Sequence, residues 1–133
     1  MNTKPGQKFF NHCSTGRAIE VAALLQAGVD PEARDSNHLT GLIWAGRKGH
    51  IDVARVFLQF GANINNKDKR GRTSLSHAVA YKRHDFVQFM LESGAEPNPI
   101  DIHSWTPLDI ANSNRDERMM EVLKSHGGRS GMT

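Results

Sequence analysis

Short runs of apolar residues at helical spacing, most of them closed by a glycine, set the pattern of this chain. The clearest run is GHIDVARVFLQFGANINNKD, residues 49–68, in which a glycine–histidine pair precedes an apolar face and Gly61 follows it. Apolar side chains three and four residues apart predict an amphipathic helix. A glycine just past the last apolar position is typical of helix termination. The segment therefore predicts a helix over 51–60, followed by a polar turn.

The landmarks of this segment recur 33 residues apart along the chain. The positions that keep this step are Gly28, Gly61, Gly94 and Gly127; Asp35, Asp68 and Asp101; Thr40, Thr73 and Thr106; and Ala45, Ala78 and Ala111. Self-similarity at a fixed step of about 20–50 residues indicates a repeat protein. The sequence thus predicts one all-α solenoid domain over residues 1–126, with repeats at about 4–34, 35–67, 68–100 and 101–126.

Each repeat is expected to contain two helices. They are predicted over 7–15 and 19–27, 42–48 and 51–60, 74–81 and 85–93, and from 107 and over 116–125. The three threonines are predicted to cap the first helix of their repeats. Lys82 stands where earlier repeats have Gly16 and Gly49, so a left-handed turn there would cost about 1 kcal/mol. The glycine-rich residues 127–133 are predicted to form a flexible tail.

Three kinds of motif indicate a family: Thr-Pro-Leu-Asp-Ile-Ala at 106–111, the pair Gly49-His50, and the Gly-Ala pairs at 61–62 and 94–95. With these motifs the chain resembles the ankyrin-repeat family over about residues 9–126. The resemblance implies a curved stack of helix–turn–helix units with β-turn fingers. The family's Thr-Pro-Leu-His has departures here: Gly41 and Ser74 replace proline, and Ile43, Ser76 and Asp109 replace histidine. The family's internal Thr–His hydrogen bond is therefore expected to be absent from every repeat.

Composition adds little to the functional interpretation. The chain has 133 residues with 38% hydrophobic and 23% charged side chains, a formal charge of +3 and a pI of about 9.3. The mild basicity slightly favours acidic partners and is no nucleic-acid signature by itself. No apolar run suits a signal peptide or a membrane span. With Cys13 as its only cysteine, the chain can form no intrachain disulfide, which favours a reducing, cytoplasmic compartment. The protein alone is predicted to be a monomer.

Catalytic and metal-binding patterns are not found. The chain has no phosphate-cradling glycine loop, zinc-binding HExxH helix or G-x-S-x-G elbow. Cys13 and His12 are adjacent, so on a helix they point about 100° apart; Cys13 is interpreted as a packed side chain. A metal site at His77 and His84 is kept as a minor alternative. The sequence predicts no enzyme, no cofactor and no metal.

The resemblance implies protein binding through the finger tips and the concave face of the inner helices. The candidate partner-binding residues are Asn37 and Leu39 in the second repeat's finger, Lys69, Arg70 and Arg72 in the third, Ile102, His103 and Trp105 in the fourth, and Arg47, Lys48 and Tyr81 on the inner helices. The chain is interpreted as a stand-alone protein binder acting as an inhibitor, immunity factor or adaptor.

Two features of that surface carry the interpretation. Tyr81 and Trp105 are predicted aromatic anchors, although Trp105 could instead pack on Pro99 or Pro107; Trp44 is predicted to lie in the core. The basic residues 67–72 would attract an acidic protein, or could be an ordinary solvated rim. The alternative function is nucleic-acid binding through the basic finger at Lys69–Arg72, which is disfavoured because no aromatic residues alternate with the charges.

Overall fold

Residues 5–131 are described by the structure, a computed structural model, and they form paired helices. The helices are α1 (Pro5–Ser14), α2 (Ala18–Gln26), α3 (Gly41–Lys48), α4 (Ile51–Gln59), α5 (Ser74–Ala80), α6 (His84–Glu92), α7 (Pro107–Ser113) and α8 (Glu117–Ser125). Every helix end given by the sequence pattern lies within two residues of the observed end. Within the described part of the chain no strand forms; one bridge joins Arg34 to Thr40.

The helices form two layers. α1, α3, α5 and α7 stack side by side in the inner layer, while α2, α4, α6 and α8 stack behind them. Apolar faces of both layers meet in a continuous core that includes the fully buried Val53, Phe57, Phe86, Met90 and Met119. The prediction of an all-α repeat solenoid is confirmed, because each helix pair buries its apolar stripe against the next pair.

Threonine caps begin three of the inner helices, as predicted. The side chains of Thr40, Thr73 and Thr106 accept hydrogen bonds from the backbone N–H three residues on. The residues that replace the family's histidine supply new contacts in two repeats. Ser76 Oγ lies 3.1 Å from Thr73 Oγ1, and the Asp109 carboxylate accepts from the Thr106 backbone N–H to complete a capping box. In these two repeats, Ser76 and Asp109 therefore supply a local hydrogen bond to the capping threonine in place of the histidine.

Two glycines of the inner helix α3 leave room for side chains and backbone of neighbouring helices. A Cβ at Gly41 would overlap the ring of Phe57, and a Cβ at Gly46 would lie 2.7 Å from the carbonyl oxygen of Ser74 on α5. Protein interiors are close-packed, so neither position has room for a side chain. Gly41, which stands where the resemblance implies proline, therefore has no room for a proline ring beside Phe57.

Left-handed backbone recurs at the turn between the two helices of every repeat. Gly16 and Gly49 have φ of 79° and 77°, and the equivalent non-glycine residues Lys82 and Arg115 have φ of 62° and 54°. The sequence-based expectation for Lys82 is confirmed, and Arg115 extends it. Only glycine adopts this conformation without a steric penalty.

Substitution of Lys82 by glycine is therefore expected to raise the free energy of unfolding by about 1 kcal/mol, because it removes the left-handed strain of a residue with a Cβ. Urea denaturation followed by circular dichroism measures the change. Lys124→Gly is the matched control, since it removes the same charge but places glycine in the right-handed last turn of α8, where it should lower stability by less than about 1 kcal/mol. A loss of stability in Lys82→Gly would contradict the prediction.

Residues 127–131, where the sequence predicts a flexible tail, are hydrogen-bonded to the third and fourth repeats. The Arg129 backbone N–H donates to Asn98 Oδ1 at 2.7 Å, as the Glu96 backbone N–H donates to Asn65 Oδ1 one repeat earlier. The Gly131 backbone N–H donates to Asp109 Oδ2 at 2.9 Å. The repeat register thus continues past 126, where the predicted domain ends, because Asn98 and Asp109 offer acceptors. Residues 132 and 133 of that predicted tail lie outside the described residues.

Candidate protein-binding surface

An aspartate organises each of the three fingers. Oδ1 of Asp35, Asp68 and Asp101 accepts hydrogen bonds of 2.8–3.0 Å from the backbone N–H groups two and four residues on. Oδ2 has a different donor in each finger. The donors are the Trp44 indole at 2.6 Å, His77 Nε2 at 2.7 Å and Arg72 Nε at 3.2 Å. These hydrogen bonds therefore hold the fingers against the inner helices or against one another in the free protein.

Asp68 and His77 form a partly buried hydrogen-bonded pair in the third finger and on α5. Burial acts to raise the pKa of Asp68, but the N–H donors of Arg72, His77 and Arg70 outweigh it and hold that pKa below its ordinary value. Burial lowers the pKa of His77, and Asp68 offsets this only in part. At neutral pH, neutral His77 consequently donates Nε2–H to an ionised Asp68.

A groove of about 390 Å³ lies between the second and third fingers and the inner helices α3 and α5. It is lined by Asn37, Leu39, Arg47, Asp68, Lys69, Arg70, Arg72, His77 and Tyr81. Seven of the eleven candidate residues are thus brought together around one concavity. Leu39 forms buried floor with 6% of its surface exposed, whereas Tyr81 on the wall keeps 46% exposed.

The other four candidates lie outside this lining. Ile102 lies on the finger of the fourth repeat and is 63% exposed. The Ile102 backbone N–H donates to the Arg70 carbonyl at 2.9 Å. His103 beside it and Lys48 at the end of α3 are also exposed. Trp105 is partly buried and packs against the core. Tyr81 is therefore the more accessible of the two predicted aromatic anchors.

Arg47 holds the two inner-helix aromatics together across adjacent repeats. Its guanidinium carbon lies 4.7 Å from the centre of the Trp44 ring and 5.0 Å from that of Tyr81. Its Nη2 donates to the Tyr81 hydroxyl at 2.6 Å. Trp44 is only partly buried and so is less of a core residue than predicted. Sequence reasoning named all three residues without finding this cluster.

The basic cluster divides into engaged and unengaged cations. Arg72 pairs with Asp101, and Lys67 Nζ donates to the Ile100 carbonyl at 3.2 Å. Lys69 and Arg70 are exposed and make no ion pair with any residue of 5–131. Charge available to a partner therefore comes from two residues of this finger, together with Arg47.

The side chains weighed for chemistry are engaged in structural contacts. Cys13 is fully buried, and burial raises the pKa of its thiol to about 12, which keeps it protonated. His84 Nε2 lies 2.8 Å from Asp116 Oδ2, while His77 faces Asp68. Over the span 5–131, no group of three potential metal ligands occurs. No helix in that span is long and apolar enough to cross a bilayer.

Comparison with known proteins gives one family match and several relatives. The family model described as ankyrin repeats (3 copies) matches residues 10–101. The chain is 34% identical over 92% of its length to human SH3 and multiple ankyrin repeat domains protein 1, covering 6% of that protein. It is 30% identical over 84% of its length to mouse RelA-associated inhibitor, covering 14%. It is 27% identical over 91% of its length to the putative E3 ubiquitin-protein ligase XBAT35 of Arabidopsis thaliana, covering 27%.

Proposed function

We propose that this chain, which belongs to the ankyrin-repeat family, binds another protein through its finger tips and concave groove and acts without catalysis. The observation that carries the proposal is the groove itself, where an exposed Tyr81 is held in place by Arg47 beside two unengaged cations of the third finger. Aromatic and arginine side chains of this kind dominate binding energy at protein interfaces.

The rigidity of the surface supports the same function. The aspartate-centred fingers and the Arg47–Tyr81 hydrogen bond order the contact residues in the free protein. Binding then loses less side-chain entropy than it would with mobile loops. The groove volume of about 390 Å³ can accept part of an extended chain.

The biological role is proposed as that of an inhibitor, immunity factor or adaptor in the cytoplasm, with the protein monomeric before it meets a partner with an acidic surface. One relative is named RelA-associated inhibitor, and this name agrees with the proposed role of an inhibitor. The chain spans only 6–27% of the lengths of the relatives described above, so their whole-protein activities do not transfer with the resemblance.

Affinity capture from the native cell lysate, read by mass spectrometry, tests the proposal. Wild type should retain a protein that the double variant Lys69→Glu/Arg70→Glu fails to retain. This pair is the sharper choice because reversing Arg72 would also break its ion pair with Asp101. Recovery of the same proteins by both forms would contradict a role for this surface.

With the captured partner in hand, Tyr81→Ala is expected to weaken binding by about 2 kcal/mol, roughly 30-fold, because the exposed ring is a wall of the groove. Isothermal titration calorimetry measures the loss. Ile19→Ala is the matched control: Ile19 is 84% exposed on the outer helix α2, so its removal should leave the affinity unchanged. Full-strength binding by Tyr81→Ala would remove this residue as an anchor.

A further inference from the structure

We propose that the groove binds an acidic, extended segment of a partner protein. In this proposal Arg47 binds a side-chain carboxylate of that segment. The inference rests on the proposed protein-binding function and adds the chemistry of the occupant. Three observations carry it: the state of Arg47, the balance of charge in the lining, and the engagement of the aromatic faces.

Arg47 is an ordered cation without a counter-ion. Its guanidinium is fixed over Trp44 and Tyr81 and by the Tyr81 hydroxyl, and it makes no ion pair within residues 5–131. Its Nε–H is buried and has no acceptor in that same span. Buried polar atoms in folded proteins are almost always hydrogen-bonded, so the folded chain leaves donor capacity on Arg47 unused. A guanidinium with free N–H groups matches a carboxylate in geometry.

The charge of the lining is strongly one-sided. Arg47, Lys69, Arg70 and Arg72 face a single acidic residue, Asp68. Both oxygens of Asp68 already accept hydrogen bonds, from two backbone N–H groups and from His77. Arg72 is paired with Asp101, which leaves the partly buried Arg47 and the exposed Lys69 and Arg70 without an ion pair among residues 5–131. An anion is the complementary occupant, and electrostatic complementarity of this kind speeds encounter and sets specificity.

The aromatic rings and Asp68 narrow the kind of anion. Arg47 lies over the rings of Trp44 and Tyr81, so neither ring offers that face for a nucleic-acid base to stack upon. Asp68 is ionised in the same groove and repels a phosphate dianion more strongly than a carboxylate monoanion. These two constraints favour aspartate or glutamate side chains of a protein over a nucleic acid or a phosphorylated segment.

The test is a titration of ¹⁵N-labelled protein with hexaglutamate, N-acetylated and C-amidated, followed by ¹H–¹⁵N correlation spectra. The expected result is a saturable shift of the Arg47 side-chain Nε–H signal and of the backbone amides of Lys69 and Arg70, with no shift from a capped hexaglutamine. Arg47→Gln should weaken hexaglutamate binding at least tenfold. Lys124→Gln removes the same charge from the exposed face of α8 and should change the affinity less than twofold.

Four outcomes would overturn the inference. Three of them are equal shifts with hexaglutamine, equal affinity of Arg47→Gln and Lys124→Gln for hexaglutamate, and tighter binding of a capped hexaphosphoserine than of hexaglutamate; the fourth concerns Arg47→Lys. Circular dichroism melts of both variants show whether each is folded, and Arg47→Lys, which keeps the charge but loses the planar fork, should bind with intermediate affinity. Binding of hexaglutamate by Arg47→Lys as tightly as by wild type would also contradict the assignment.

Failure of the Arg47 assignment can be distinguished from failure of the proposed protein-binding function. A captured partner that loses affinity for Tyr81→Ala but binds Arg47→Gln at full strength would overturn the carboxylate assignment and leave the protein-binding function standing. Capture that depends on none of the groove residues would overturn the proposed function, whereas the hexaglutamate titration would still judge the Arg47 site by itself.

Discussion

Replacing Phe57 by alanine is expected to lower the free energy of unfolding by about 3–5 kcal/mol, the range for loss of a buried phenylalanine. Phe57 is fully buried on α4, and its ring lies edge-on to Phe9 of the first repeat with 6.0 Å between ring centres. The ring also occupies the space opened by Gly41 on the inner helix of its own repeat. One side chain thus joins the first two repeats, and its loss leaves a cavity that neither helix can close.

Phe60→Ala provides the comparison within the same helix region. Phe60 caps the C-terminal end of α4 and is 39% exposed, so its truncation should cost about 1 kcal/mol or less. Urea denaturation of both variants beside wild type, with circular dichroism as the signal, measures the two losses. Equal losses would show that the contact between Phe57 and Phe9 does not hold the first two repeats together.

The fold was largely readable from the sequence because its determinants are local and repeated. The 33-residue step set the helix pairs, and a threonine hydroxyl needs only the N–H three residues on to act as a cap. Lys82 could be assigned a left-handed turn because Gly16 and Gly49 occupy the same register. The cap and the turn each form within one repeat, and the 33-residue step allows them to be predicted from one repeat to the next.

Most residues of the groove could be predicted from the sequence, but the interactions among them could not. Arg47 and Tyr81 lie in adjacent repeats, 34 residues apart, and meet only because α3 and α5 pack side by side. A count of basic residues likewise could not separate Arg72, which pairs with Asp101, from Lys69 and Arg70, which do not pair. These distinctions depend on distances between repeats, which spacing along the chain does not specify.

Asp101→Ala is expected to lower the free energy of unfolding by about 3 kcal/mol. Asp101 is buried; its Oδ1 accepts from the backbone N–H groups of His103 and Trp105, and its Oδ2 accepts from Arg72. Truncation leaves two backbone donors and one guanidinium without their acceptor. Breaking a buried ion pair costs about 3–5 kcal/mol, and the partial exposure of Arg72 places the expected loss at the low end. The loss should also release Arg72 from the wall of the groove.

Asp85→Ala removes the aspartate of a second Asp–Arg pair and is the matched control. That pair is exposed on both sides, with 3.6 Å between Arg118 Nη2 and Asp85 Oδ1, so its loss should cost less than 1 kcal/mol. Urea denaturation at pH 7 should separate the two variants clearly, and equal losses would contradict the role given to Asp101.

The pH dependence of the loss identifies its electrostatic part. Burial acts to raise the pKa of Asp101, but the hydrogen bonds from Trp105, His103 and Arg72 lower it below the ordinary value. A carboxylate with a lowered folded-state pKa stabilises the protein above its unfolded-state pKa, about 3.9, and this contribution is lost as the pH falls through the folded-state value. The stability difference between wild type and Asp101→Ala should therefore be full at pH 7 and should shrink progressively below about pH 4. A difference that stays constant on acidification would assign the loss to packing instead of to the ionised carboxylate.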